Sequence, residues 1–190
     1  MDRISVREKS GLELLRKLGI EGQTVLDPVF LLAAEQWKAM IDCEEPTGDI
    51  FVYDFDKSPF VESVCKALKE KRGQRICSFF PAKYADKSLR FPGPIRFLEA
   101  LYHAEVIVSN SFHATVFALI WHKEFYVIKR QENINTRMRD LLALVGLEDR
   151  MIRRQEDLET AATIDWEQVD SILERERERS INFLRELTNG

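Results

Sequence analysis

Residues 105–121 read EVIVSNSFHATVFALIW. Val106, Ile107 and Val108 form a short, unbroken apolar run, the mark of a strand covered on both faces. Ser109, Asn110 and Ser111 follow, all of them residue types that cap helices or make turns. From Phe112 to Trp121 the chain is apolar at nearly every position, so a helix there must be buried nearly all round. Buried strand, polar turn and buried helix together make half of a parallel α/β unit.

The same rhythm continues outward. Ile50–Tyr53 reads as a strand, 58–71 as a helix with Phe60, Val61, Val64, Cys65 and Leu68 inward, and Ile76–Phe80 as a strand. A loop over 81–94 leads to a helix over 94–103. Beyond the quoted stretch come a strand at Phe125–Ile128 and a helix over 136–145. Four strands alternating with helices predict a Rossmann-like parallel sheet with helices on both faces. Ahead of it lie a strand at 3–6, a helix at 9–19, a strand at Thr24–Leu26 closed by Asp27-Pro28, and a helix at 31–42. A polar breaker spans 44–49. The tail, 166–188, is a long helix with an apolar stripe from Trp166 to Leu187 and a solvated charged middle, Glu174–Arg179. The expected division is a connecting segment over 1–45, the Rossmann-like domain over 46–152 and a helical tail over 153–190.

Composition narrows the function. With 45% hydrophobic and 32% charged residues the chain is globular rather than disordered, and a net charge of -4 gives no basic field for nucleic acid. Cys43, Cys65 and Cys77 are odd in number and lack paired spacing, so they read as reduced structural thiols. No metal or cofactor is expected. No apolar run approaches the roughly 20 residues of a membrane span, and the N-terminus has no signal-peptide core. The expected location is the cytoplasm, at most peripheral to the inner membrane face.

The turn at 109–113 carries the chemistry. Ligands of open parallel sheets sit at the carboxyl ends of strands. A helix N-terminus offers free N–H groups and a partial positive charge to an anion. Asn110 and Ser111 can donate there, and His113 in the first turn can take up a proton. The plain alternative is that Ser111 only caps its helix and His113 is an ordinary polar residue. Lys83, Lys87 and Arg90 follow the strand at Ile76–Phe80, where they either attract an anion or line a solvated loop. Asn135 suits a cap, with Arg137 beside it. Asp54 and Asp56 read as a turn, and His103 and His122 as helix ends.

A resemblance weights these choices. GPIRFL (93–98), AEVIVSNSFHATVF (104–117), KEFYV (123–127), Asn135-Thr-Arg137, Leu141-Leu142 and GLEDR (146–150) occur in the order of the polysaccharide pyruvyl transferases. ISVRE (4–8) and VLDP (25–28) resemble that family's interdomain region. The likeness covers residues 3–152 and leaves the tail aside. It implies the C-terminal half of a GT-B-like transferase, with two Rossmann-like domains and a cleft between them. It also implies phosphoenolpyruvate as donor, a saccharide acceptor, transfer of pyruvyl as a ketal, and a role for Arg7 in holding the donor. In that reading His113 is catalytic, and Arg7, Asn110, Ser111, Lys83 and Arg137 bind substrate. Two departures stand out: Ala114 where the family usually has Gly, and Ser111 where some members have Arg. Ala114 is expected to tighten the pocket. The chain is expected to lack the acceptor domain, to need that half or a second copy docked on 1–45, and to be inactive alone. The alternatives are a non-catalytic anion-binding or partner-binding remnant, and half of a nucleotide-sugar glycosyltransferase.

Overall fold

The computed structural model describes residues 4–41, 49–89, 93–130 and 136–188. Most of the polar breaker, Cys43, Arg90 and Asn135 lie outside them.

The chain opens with a small parallel unit. Strand β1 (Ile4–Val6) and strand β2 (Gly22–Thr24) pair in register Ile4 to Gly22, joined by helix α1 (Lys9–Lys17). Helix and strand approach closely at Gly22: a Cβ there would lie 2.6 Å from the mobile Leu15 Cδ1 methyl and 3.1 Å from the Ile4 carbonyl oxygen, so a larger residue would make both give way. The strand expected at 24–26 therefore begins earlier. It ends earlier too: the Val25 N–H still reaches the Val6 carbonyl, but the Leu26 N–H turns away to Ser180.

The helix expected over 31–42 is broken. Pro28 starts a 3₁₀ turn, Pro28–Leu31, capped by the Asp27 side chain, which accepts from the Val29 N–H at 3.2 Å. Leu32 is extended and ends it, and a short helix α2 (Ala34–Lys38) follows. Trp37 of α2 donates to the Val29 carbonyl at 3.0 Å and packs edge-on against Phe117.

Among the described residues, six parallel strands form the main sheet. They are β3 (Ile50–Tyr53), β4 (Ile76–Ser78), β5 (Lys87–Ser88), β6 (Val106–Ser109), β7 (Glu124–Ile128) and β8 (Met151–Ile152). The order is β5-β4-β3-β6-β7-β8. Counted within this sheet, that is 3-2-1-4-5-6, the doubly wound order of a Rossmann-like fold. Sequence patterning supplies the four central strands. The two-residue edges β5 and β8 carry no apolar period of their own and exist by pairing with β4 and β7.

Both faces are covered, and this explains the unbroken apolar runs. Ile50 and Val52, Val106 and Val108, Tyr126 and Ile128 face helix α3 (Pro59–Arg72) through Val61, Val64, Cys65 and Leu68. Phe51, Ile107, Phe125 and Val127 face the other core, built from helices α4 (Gly93–His103), α5 (Phe112–Ile120) and α6 (Thr136–Val145). Residues Ala114 to Leu119 of α5 are all buried, and each large apolar side chain so placed stabilises the fold by about 2 kcal/mol. Burial pushes the Cys65 thiol well up, with Asp54 and Glu62 adding to the effect. That suits an inert packed thiol.

A short helix α7 (Asp157–Thr160) leads to helix α8 (Trp166–Thr188), which lies along the α6 side of the molecule. The middle of α8 is not wholly solvated: Ser180 is buried, and Arg177 donates to the Phe30 carbonyl. His122 is not a plain helix end either. It takes a left-handed backbone (φ 51°), stacks on Trp166 at 4.8 Å and lies 2.8 Å from the Asp170 carboxylate, anchoring the tail.

Candidate functional site

The strand order reverses between β3 and β6, and their carboxyl ends are Tyr53 and Ser109. In doubly wound sheets the ligand crevice opens at this switch point. Two buried acids stand near it.

Asp54 follows β3. Its Oδ1 accepts from the Asp56 N–H at 2.9 Å and its Oδ2 from the Ser58 N–H at 2.8 Å, a turn closed by its own side chain. The Asn110 amide donates to Oδ1 at 2.6 Å, and Asn110 Oδ1 accepts from the Phe55 N–H at 3.0 Å. Ser109 Oγ donates to the Tyr53 carbonyl at 2.7 Å and accepts from the Ser111 N–H at 3.0 Å. These bonds stitch the ends of β3 and β6 together. Both ends of the Asn110 amide take part in them.

Asp27 lies over the start of α5. Arg7 Nη1 reaches Asp27 Oδ2 at 2.5 Å, and His113 Nε2 stands 3.9 Å from the same oxygen. The carboxylate is 3% exposed, while the Arg7 and His113 side chains are 44% and 48% exposed. Chain connectivity explains the meeting. β1 delivers Arg7, the Asp27-Pro28 turn delivers the acid, and the first turn of α5 delivers His113. Ser111 caps α5 by accepting from the Ala114 N–H at 3.4 Å. Its carbonyl takes the Thr115 N–H. Phe112 and His113 open α5, so their N–H groups have no i−4 carbonyl within the helix, the kind of position that suits an anion.

A cleft runs from this acid along Phe112 to α6 and is lined by Arg7, Asp27, Phe112, Arg137 and Asp140 among others. Arg137 lies over the Phe112 ring at 4.7 Å, and no carboxylate pairs with it among the described residues. Asp140 already accepts the Lys9 N–H at 3.0 Å. The contact of Thr115 Oγ1 with Met138 Sδ at 3.1 Å holds α6 against α5 and so sets where Arg137 stands.

The structure thus brings Arg7 and Arg137 to one cleft, sets His113 beside it across Asp27, and leaves other candidates outside it. Ser111 is a buried cap beside the cleft. Lys83 is exposed on the loop after β4 and does not line the cleft. Lys87 lies on β5, beside a separate hollow with Cys77 and His103. Ala114 does not tighten the pocket: it is fully buried in the core beneath α5. Asp27 is the residue that sequence reasoning treated only as a turn former. Its signal was an acid held in the VLDP stretch, with Pro28 fixing the backbone after it.

Sheet order defines a Rossmann-like α/β protein, with a cleft between the Asp27 turn, the first turn of α5 and α6. The model of the polysaccharide pyruvyl transferase family matches residues 2–132, and the chain belongs to that family. Comparison with curated proteins finds no match. Among the described residues, no helix is long and apolar enough to cross a membrane.

Proposed function

We propose that this chain holds the donor site of an enzyme that moves a pyruvyl group from phosphoenolpyruvate to two hydroxyls of a polysaccharide sugar, as a ketal. One observation carries the reading: buried Asp27 gathers Arg7 and His113 at the edge of a cleft that Arg137 also faces.

Phosphoenolpyruvate carries a carboxylate and a phosphate. Two guanidinium groups and the open N–H groups of α5 match that charge and geometry. Asp27 holds Arg7 in place, so less order is lost when the donor binds. His113 accepts the proton of the first sugar hydroxyl as its oxygen attacks the central carbon of the donor. His113 gives that proton up to the methylene carbon, making the methyl group. The second hydroxyl then attacks as the carbon–oxygen bond to phosphate breaks, and its proton leaves with the phosphate. Two hydroxyl protons enter and two are placed, so the step balances.

In this reading the chain does not complete the reaction alone. Leu14, Leu18 and Ile20 stand exposed on α1 and the turn after it, and would pack under a domain or second copy that holds the acceptor. The reaction belongs in the cytoplasm, where the donor is made. Calorimetry tests the donor: phosphoenolpyruvate should bind, and Arg7→Ala should weaken it about tenfold, one charge-assisted hydrogen bond's worth. Binding of a nucleotide sugar with none of phosphoenolpyruvate would overturn the reading.

A further inference from the structure

The family match ends at residue 132, yet the later helix α8 grips the turn that carries Asp27. Ser180 Oγ accepts the Leu26 N–H at 2.9 Å and donates to the Glu176 carbonyl at 2.7 Å. That hydroxyl thus both donates and accepts, and Ser180 is 3% exposed. On the other side of the acid, the Phe30 carbonyl accepts from Arg177 Nε at 3.0 Å. Arg177 is braced in turn by Glu174 at 2.8 Å. Leu26 and Phe30 are both buried residues, where an unpaired backbone group is costly.

These two contacts bracket Asp27. The bonds inside the turn, from the Val29 N–H to the Asp27 side chain and from the Phe30 N–H to its carbonyl, fix the turn's shape. They do not fix its place over α5. Trp37 holds the Val29 carbonyl from the α2 side, and α8 holds the two flanks. Placement matters because His113 Nε2 lies 3.9 Å from Asp27 Oδ2, just beyond hydrogen-bond reach. A shift of a few tenths of an ångström in the turn changes what His113 meets.

We infer that Ser180 and Arg177 are positioning residues: they set Asp27, and through it the relation of Arg7 to His113. The inference rests on the donor-site reading above, but its test does not depend on the donor. The full chain is compared with Ser180→Ala and Arg177→Met, each checked for folding by thermal melting. Two quantities are read: the ring resonances of His113 by NMR, assigned with His113→Ala, and the affinity for phosphoenolpyruvate by calorimetry. Ser180→Ala should move the His113 ring signals and weaken donor binding about tenfold. Arg177→Met should shift both in the same direction by less. If the wild-type chain binds no phosphoenolpyruvate, the donor assignment fails, and the His113 signals still decide the role of α8. Ring signals that stay at their wild-type positions in the folded variants overturn the inference. Should Ser180→Ala not fold, Arg177→Met, at a part-exposed residue, decides the matter through the same two measurements.

Discussion

Asp54 and Asp27 are both nearly inaccessible, at 5% and 4% exposure, and they act in opposite ways. The carboxylate of Asp54 answers two N–H groups of its own turn and the buried amide of Asn110. Every one of those partners is local or interior, so the acid closes the sheet edge. Asp27 instead pairs with Arg7 and stands 3.9 Å from His113, and both of those side chains lean out into solvent. Burial of an acid therefore does not mark a site. What distinguishes the two is whether the partners can meet something outside the protein.

His113 offers the largest test of that contrast. His113→Ala should cut transfer about 10²- to 10⁴-fold, the usual worth of a proton-transfer group, in an assembly that holds donor and acceptor. The same variant should change unfolding stability by no more than about 1 kcal/mol, since the ring is half exposed. Undiminished transfer would remove His113 from the chemistry. Next comes the pair of acids. Asp54→Ala leaves three donors without an acceptor and should cost about 3 kcal/mol in urea unfolding. Asp27→Asn keeps an acceptor for the Val29 N–H and should cost only about 1 kcal/mol, while weakening phosphoenolpyruvate binding about tenfold. The reverse pattern would break the comparison.

A third acid gives the smallest effect. Burial alone would raise the pKa of Glu124, but hydrogen bonds from Tyr126 and Arg72, with the charges of Arg72 and Arg150, hold it below the ordinary range. Its folded pKa is thus lower than its unfolded one, about 4.3. The stabilisation is complete above that value and fades as the pH falls through the folded pKa. Urea midpoints between about pH 6 and pH 3 should decline less steeply in Glu124→Gln than in the wild type. Equal slopes would show that Glu124 does not contribute to the acid limb.

Much of the fold was legible because β3, β6 and β7 are buried on both faces and α5 nearly all round, which leaves apolar runs that only one architecture covers. The edges β5 and β8 were not legible, since their pairing rather than their composition defines them. The helix expected at 31–42 failed for a local reason: Pro28 and the Asp27 cap began a tighter turn early, and Leu32 ended it. The site was half legible. His113, Arg7 and Arg137 could be chosen by type and by family likeness. Asn110 looked free to bind, yet one N–H of its amide goes to Asp54, 56 residues away. Asp27 was missed because its partners lie 20 and 86 positions off in the chain, where no local period can show them.

The bond from Leu26 to Ser180 spans 154 positions, and that has a consequence for synthesis. Chains emerge from the ribosome N-terminus first, at about 5–20 residues per second. The sheet through β7 can assemble once residue 128 is out, while the flanks of the Asp27 turn wait for Arg177 and Ser180. For several seconds the nascent protein has its scaffold and its histidine, but its acid turn is not yet pinned by the tail. The geometry around Asp27 is completed late, well after the fold that carries it.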